Sequence, residues 1–163
     1  MYLVHKPRKV TPMPTAILLY SYHHNNTRNL GEAVQNTHNS IDIFDVTKDK
    51  PDLSGYDRIG IASGVYAFHL GKPMLKFLKE NLPAGKETFI IYTYGIPKDG
   101  YTDSTKQILK EKNCTLLGEY GCLGFDTFGP FKMVGGLAKG HPDEADVKAC
   151  VEFVEDMIGR NIS

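Results

Sequence analysis

The sequence predicts a single α/β domain, a parallel sheet with helices on both faces. Three observations predict it. Short apolar runs alternate with stretches of helical spacing along the chain. TAILLY is a continuous apolar run, RIGIAS a short apolar one and TFIIYT rich in β-branched and aromatic residues, as expected of strands covered on both faces. The segments after these runs are rich in glycine, hydroxyl, amide and aromatic residues, the composition of a ligand-binding edge.

The first strand is Thr15 to Tyr20. Asn29 to His38 follows as a helix, with Leu30, Ala33, Val34 and Thr37 at helical spacing. Ser40 to Val46 alternates as a second strand, Ile41, Ile43 and Asp45 opposite Asp42, Phe44 and Val46. About a dozen residues then lead to the third strand, the minimum for a parallel crossover. A turn around Pro51 to Gly55 suits that link better than a helix. Arg58 to Ser63 is the third strand, and Pro73 to Asn81 a helix with proline in its first turn. Thr88 to Thr93 is the fourth strand, β-branched and aromatic. Asp103 to Lys112 reads as a helix capped by Asp103 or Ser104. A fifth strand lies within Leu116 to Phe125. The last helix, Asp143 to Ile158, carries the stripe Val147, Cys150, Val151, Val154, Met157 and Ile158, and Gly159 ends it.

Residues 1–14 hold Pro7, Pro12 and Pro14 among several charges and read as an N-terminal extension; residues 15–163 form the domain. The formal net charge is zero and no basic face stands out, which argues against nucleic acid as a partner. No apolar run is long enough to span a bilayer, and no signal-peptide pattern follows Lys6, Arg8 and Lys9, so the expected location is the cytoplasm, away from membranes. Cys114, Cys122 and Cys150 are odd in number and lack metal-ligand spacing. Cys122 and Cys150 read as small core residues.

Three strand-end loops carry the chemistry. Ser21 to Thr27 (SYHHNNT) precedes a helix start, where unsatisfied amides and the helix dipole favour an anion. Ser21, Asn26 and Thr27 add donors, as do His23 or His24. A plain helix cap by Asn26 or Thr27 explains the same composition. The adjacent histidines lack a third ligand, so no metal is expected. Ser63 to Lys72 (SGVYAFHLGK) and Thr93 to Thr102 (TYGIPKDGYT) combine turn-permitting glycines with aromatic rings, the parts of a cleft for a flat ligand. Gly124 to Pro142 is long for an unstructured link in a small domain and reads as functional or as a partner surface. Phe128 and Phe131 within it either cover the cleft or rest on the sheet. Lys132, Lys139 and His141 read as solvated.

Together TAILLY-SYHHNNT, GYDRIGIASGVYAFHLGKP, TFIIYTYG and GFDTFGPFKMVGGLAKGHP resemble the flavodoxin family, over about Thr15 to Ile158. The resemblance implies a doubly wound five-stranded parallel sheet of order 2-1-3-4-5 and a non-covalent FMN. It implies that Ser21, His24, Asn25, Asn26 and Thr27 surround the phosphate. It further implies that Ser63, Gly64, Val65, Tyr66, Ala67 and Phe68, with Tyr94, Gly95 and Ile96, line the isoalloxazine ring. The family's loop carries a glycine where Asn25 stands, and asparagine tolerates left-handed backbone better than most residues.

The expected function is that of an FMN-dependent electron carrier, in which the flavin does the chemistry and no side chain acts as acid or base. An FMN-dependent oxidoreductase that moves hydride from NAD(P)H to a quinone or other small acceptor is the alternative. No GxGxxG or Walker A pattern is present, so a nicotinamide would have to sit above the flavin. A non-redox domain that has lost its flavin is the third reading. The expected partner is a redox protein or NAD(P)H, and the expected state a monomer or homodimer.

Overall fold

The computed structural model describes residues 13–22, 24–127 and 129–160. The proposed extension, residues 1–14, lies outside the described residues except for Met13 and Pro14, and His23 and Phe128 lie outside them too. The carbonyl of Pro14 accepts N–H bonds from Asp57 and Arg58, so strand pairing starts one residue before the first strand.

The elements in chain order are β1 (Thr15–Tyr20), α1 (Asn26–Thr37), β2 (Asp42–Asp45), β3 (Arg58–Tyr66), β4 (His69–Leu70), α2 (Lys72–Asn81), β5 (Glu87–Tyr94), α3 (Asp103–Glu111), β6 (Thr115–Leu123) and α4 (Glu144–Gly159). A 3-10 turn, Gly129–Val134, precedes α4. The sheet runs β2-β1-β3-β5-β6 with every neighbouring pair parallel. This is the expected five-strand order. The two-residue β4 takes a number but only pairs antiparallel with the end of β3.

Alternation along each strand builds a core on each face. Ala16 and Leu18 join Ile59, Ile61 and Ile90 under α2 and α3, which supply Met74, Phe77, Leu78, Ile108 and Leu109. Ile17 and Leu19 join Ala62, Phe89 and Ile91 under α1 and α4, which supply Leu30, Val34, Cys150, Val154 and Met157. Ile41 and Ile43 face α1 and α4 while Phe44 and Val46 face the other layer, the alternation read from SIDIFDV. The link from β2 to β3 contains turns at Val46–Lys48 and Ser54–Gly55 and no helix. Among the described residues no helix is long and apolar enough to cross a membrane.

Boundaries differ from the sequence reading where tertiary contacts extend an element. β3 continues three residues past Ser63, because Val65 and Tyr66 pair with β4. α1 begins at Asn26, three residues earlier than its apolar spacing indicates. The N-cap of α3 is Thr102 rather than Asp103 or Ser104, and its side chain makes no capping bond. α4 runs through Gly159 with Arg160 as its C-cap, and Asp143 caps its start through a reciprocal box with Asp146.

At the edge of the sheet remote from the strand-end loops, Arg58 is fully buried. Its Nε donates to Glu87 at 2.6 Å and its Nη1 to the carbonyl of Met157 at 2.7 Å, which ties β3, β5 and the end of α4 together.

Candidate functional site

The loops after β1, β3, β5 and β6 meet at the carboxyl edge of the sheet, around a cavity of about 340 Å³. That volume falls in the range of small-molecule sites. Its walls come from Asn26, from Gly64 to Phe68, from Thr93 to Ile96 with Tyr101, and from Gly124 to Asp126 with Phe131. All the residues expected from Gly64 to Phe68 and from Tyr94 to Ile96 therefore meet here.

At one end the cavity reaches the start of α1. His24 and Asn25 are left-handed, with φ of 53° and 54°. Asparagine thus supplies the conformation for which the resembling family uses glycine. The N-cap residue Asn25 makes no side-chain capping bond, and no acid stands in the first turn of α1. Consecutive backbone amides in such a turn, followed by a helix start, form an anion-binding concavity. The Ser21 hydroxyl accepts the N–H of Arg28 at 3.3 Å and keeps its own O–H to donate. Thr27 is buried and its hydroxyl meets that of Thr93 at 2.9 Å, so only its backbone belongs to the helix start. Asn26 lines the cavity, and its Nδ2 donates to the carbonyl of Phe125 at 2.8 Å.

The segment read as an exposed loop after β3 is a hairpin. Ala67 and Phe68 form its two-residue turn, with φ of 52° and 70°. A two-residue turn with φ > 0 at both positions matches the twist of the flanking strands. It holds Phe68 out at the rim, 70% exposed, with the Lys98 ammonium 4.5 Å from its ring centroid. Tyr66 folds back over Gly64, and its hydroxyl accepts the N–H of Tyr22 at 2.9 Å, joining this wall to the first loop. Ser63 does not reach the cavity. It is buried, accepting from the Gly71 N–H and donating to the Gly64 carbonyl, and so fixes the hairpin from below.

The third wall stacks Tyr94 on Tyr101, ring centroids 5.9 Å apart. The Tyr101 hydroxyl donates to the Ile96 carbonyl at 2.7 Å. Burial raises the pKa of both phenols, so they stay neutral. Gly95 is required by close approach, since a Cβ there would lie 2.6 Å from the Asp126 carboxylate.

Sequence reasoning marked Gly124 to Pro142 as functional or a partner surface but did not assign Gly124 to Asp126 to the cavity as its fourth wall, and it left Phe131 undecided. Phe131 lines the cavity; Phe128 lies outside the described residues. The available signal was position, because this segment leaves β6 at the same sheet edge as the other loops. Asp126 is pinned by reciprocal backbone bonds with Leu137, at 2.9 and 2.6 Å. Beyond the cavity, ligand atoms of His141, Asp143 and Asp146 lie within 4.8 Å of one another. The His141 Nδ1 sits 2.7 Å from Asp146, and both aspartates belong to the capping box of α4, so these groups satisfy each other. Cys122 and Cys150 are buried, and burial pushes both thiols up to about 12.

A helix start entered through left-handed backbone, at one end of an aromatic cavity, fits a phosphate joined to a flat ring system. No protein-family model matches the chain. An uncharacterized protein of Methanocaldococcus jannaschii is 37% identical over 149 residues, which cover 90% of this chain and 99% of that one. Among solved structures, a flavodoxin from the domain Archaea superposes with a TM-score of 0.67 at 20% identity, covering 88% of this chain and 96% of its own. A Fusobacterium nucleatum flavodoxin bound to flavin mononucleotide superposes with a TM-score of 0.63 at 12% identity, covering 89% and 97%.

Proposed function

The chain belongs with the Methanocaldococcus protein to one family built on the flavodoxin fold, and from that premise we propose that it binds FMN and carries electrons. One observation supports this above the others: a single cavity joins the left-handed start of α1, at Asn26, to aromatic walls at the ends of β3, β5 and β6. The bound flavin would supply the redox chemistry. The chain's own residues bind and orient it. The Ser21 hydroxyl and the backbone of His24, Asn25, Asn26 and Thr27 hold the phosphate. Val65, Tyr66, Phe68, Tyr94 and Ile96 flank the ring and exclude water from it. The backbone of Gly64, Ala67 and Gly95 leaves room for close approach.

In the alternative reading, an FMN-dependent oxidoreductase, a nicotinamide would sit above the flavin, since the sequence carries no GxGxxG or Walker A pattern. The expected partner is a redox protein of the cytoplasm that meets the mouth of the cavity, where Phe68 and Ile96 are exposed.

The test is the visible spectrum of the purified protein with and without added FMN. Retained flavin bands after gel filtration are expected. Protein that emerges colourless after incubation with FMN overturns the proposal. Steady-state oxidation of NADH or NADPH by the loaded protein, with a quinone present, would replace the carrier reading with the oxidoreductase one.

A further inference from the structure

We propose that Asn26 is a positioning residue for the ring-binding wall rather than a phosphate ligand. The inference rests on the flavin reading above and assigns this one side chain within it. Asn26 opens α1, where an anion is expected, yet its amide is turned along the cavity. It donates to the Phe125 carbonyl at 2.8 Å, bridging 99 positions of sequence.

The wall it reaches is held from its far side by other bonds. Phe125 N–H donates to the carbonyl of His141 at 2.9 Å, and Asp126 exchanges both backbone bonds with Leu137. The Phe125 carbonyl is the group that faces the loop. Gly124 leaves no gap beside it, since a Cβ there would lie 2.7 Å from Asn26 Nδ2 and 3.1 Å from Thr93 Cβ. His24 adds a second fastening from the same loop. Its ring lies 4.4 Å from that of Phe125, and its Nε2 is 2.8 Å from the Thr127 hydroxyl.

Two side chains of the expected phosphate loop thus grip the fourth wall. The loop and the wall form one unit, so an anion that orders the start of α1 also orders the surface offered to the ring. Removing the amide leaves a half-buried carbonyl without its donor and frees the wall to shift.

The test titrates the apoprotein, wild type and the variants Asn26→Ala and Asn26→Leu, with FMN, riboflavin and inorganic phosphate. Wild type binding neither FMN nor riboflavin would defeat the flavin reading itself, before the variants are compared. Given wild-type binding, riboflavin, which has no phosphate, is expected to weaken about tenfold in both variants. Inorganic phosphate is expected to bind as in wild type. Weaker phosphate with unchanged riboflavin would make Asn26 a phosphate ligand and overturn the proposal. Unchanged affinity for all three ligands overturns it, as does loss of all three in both variants.

Discussion

The hydroxyls of Thr27 and Thr93 meet at 2.9 Å in the core, one from the first turn of α1 and one from the end of β5. Both residues are at least 96% buried, so neither hydroxyl has water to fall back on. Thr27→Val leaves the Thr93 hydroxyl unsatisfied and is expected to cost about 1–3 kcal/mol. Thr27→Val with Thr93→Val removes both polar groups and is expected to recover most of that loss. Urea unfolding of the two single variants and the double variant measures it. Additive losses would show that the two hydroxyls do not depend on each other.

Arg58 and Glu87 form another buried polar contact, an ion pair at 2.6 Å. Glu87→Ala strands a fully buried guanidinium and is expected to destabilise by about 3–5 kcal/mol. The paired replacement Arg58→Met with Glu87→Leu is expected to lie much closer to wild type, since it removes both charges together. Chemical unfolding is again the measurement. A Glu87→Ala protein as stable as wild type would mean that water reaches Arg58 in solution.

His141 gives the chain a pH-dependent element. The hydrogen bond to Asp146 raises its pKa above the ordinary imidazole value; burial opposes this, and the charges of Asp146 and Asp143 add to it. A raised folded-state pKa means protonated His141 stabilises the fold. That contribution is complete below the unfolded value of about 6.5 and fades as pH rises through the folded value. Thermal melts should therefore fall slightly on going up through neutral pH, and His141→Gln should flatten that slope. Asp143 is shifted the opposite way, chiefly by its backbone bond from Asp146, so its loss appears only in acid. An NMR titration that finds His141 at or below the ordinary value contradicts the expectation.

The hairpin turn at Ala67 and Phe68 places two side-chain-bearing residues at positive φ. Asparagine at the first position relieves strain without touching the ring at the second. Ala67→Asn is expected to stabilise by up to about 1 kcal/mol. A differential melt of the two proteins checks it, and a lower melting temperature would mean that Ala67 makes contacts outweighing its backbone strain.

Asn25 tests where the phosphate sits. Its φ of 54° suits glycine better still. Asn25→Gly is expected to tighten FMN binding a few-fold, while Asn25→Val, β-branched and disfavoured in this conformation by about 1–2 kcal/mol, weakens it about tenfold. Fluorescence titration of the apoprotein reads both. Equal affinities across the three proteins would place the phosphate elsewhere.

What the residues revealed in advance follows from how local their signals are. TAILLY matched β1 to the residue because an apolar run buried on both faces is a property of the segment itself. The carboxyl end of β3 and the start of α1 were misplaced because pairing with His69 and Leu70, and the left-handed turn at Asn25, depend on distant or conformational facts. The loops Ser63 to Lys72 and Thr93 to Thr102 were legible as cavity edges from glycines beside aromatics, and the narrower spans from the resemblance. Gly124 to Asp126 was marked only as part of the long segment Gly124 to Pro142, since its place in the cavity depends on bonds from Asn26, Leu137 and His141, none of which leaves a pattern in the segment.

The ends of the sheet bear on how the chain behaves in a crowded cell. β2 closes one side with only four residues, an aspartate at each end. Asp45 there is already engaged by Arg28 at 2.8 Å. β6 closes the other side with Glu119 in its middle and a register irregularity against β5 at Thr88/Phe89. Neither border offers a long flat run of open backbone between apolar side chains, the template on which strands from other molecules add. A chain with no net charge has little long-range repulsion to keep its copies apart, so resistance to edge-to-edge aggregation rests on these few residues at the sheet's borders.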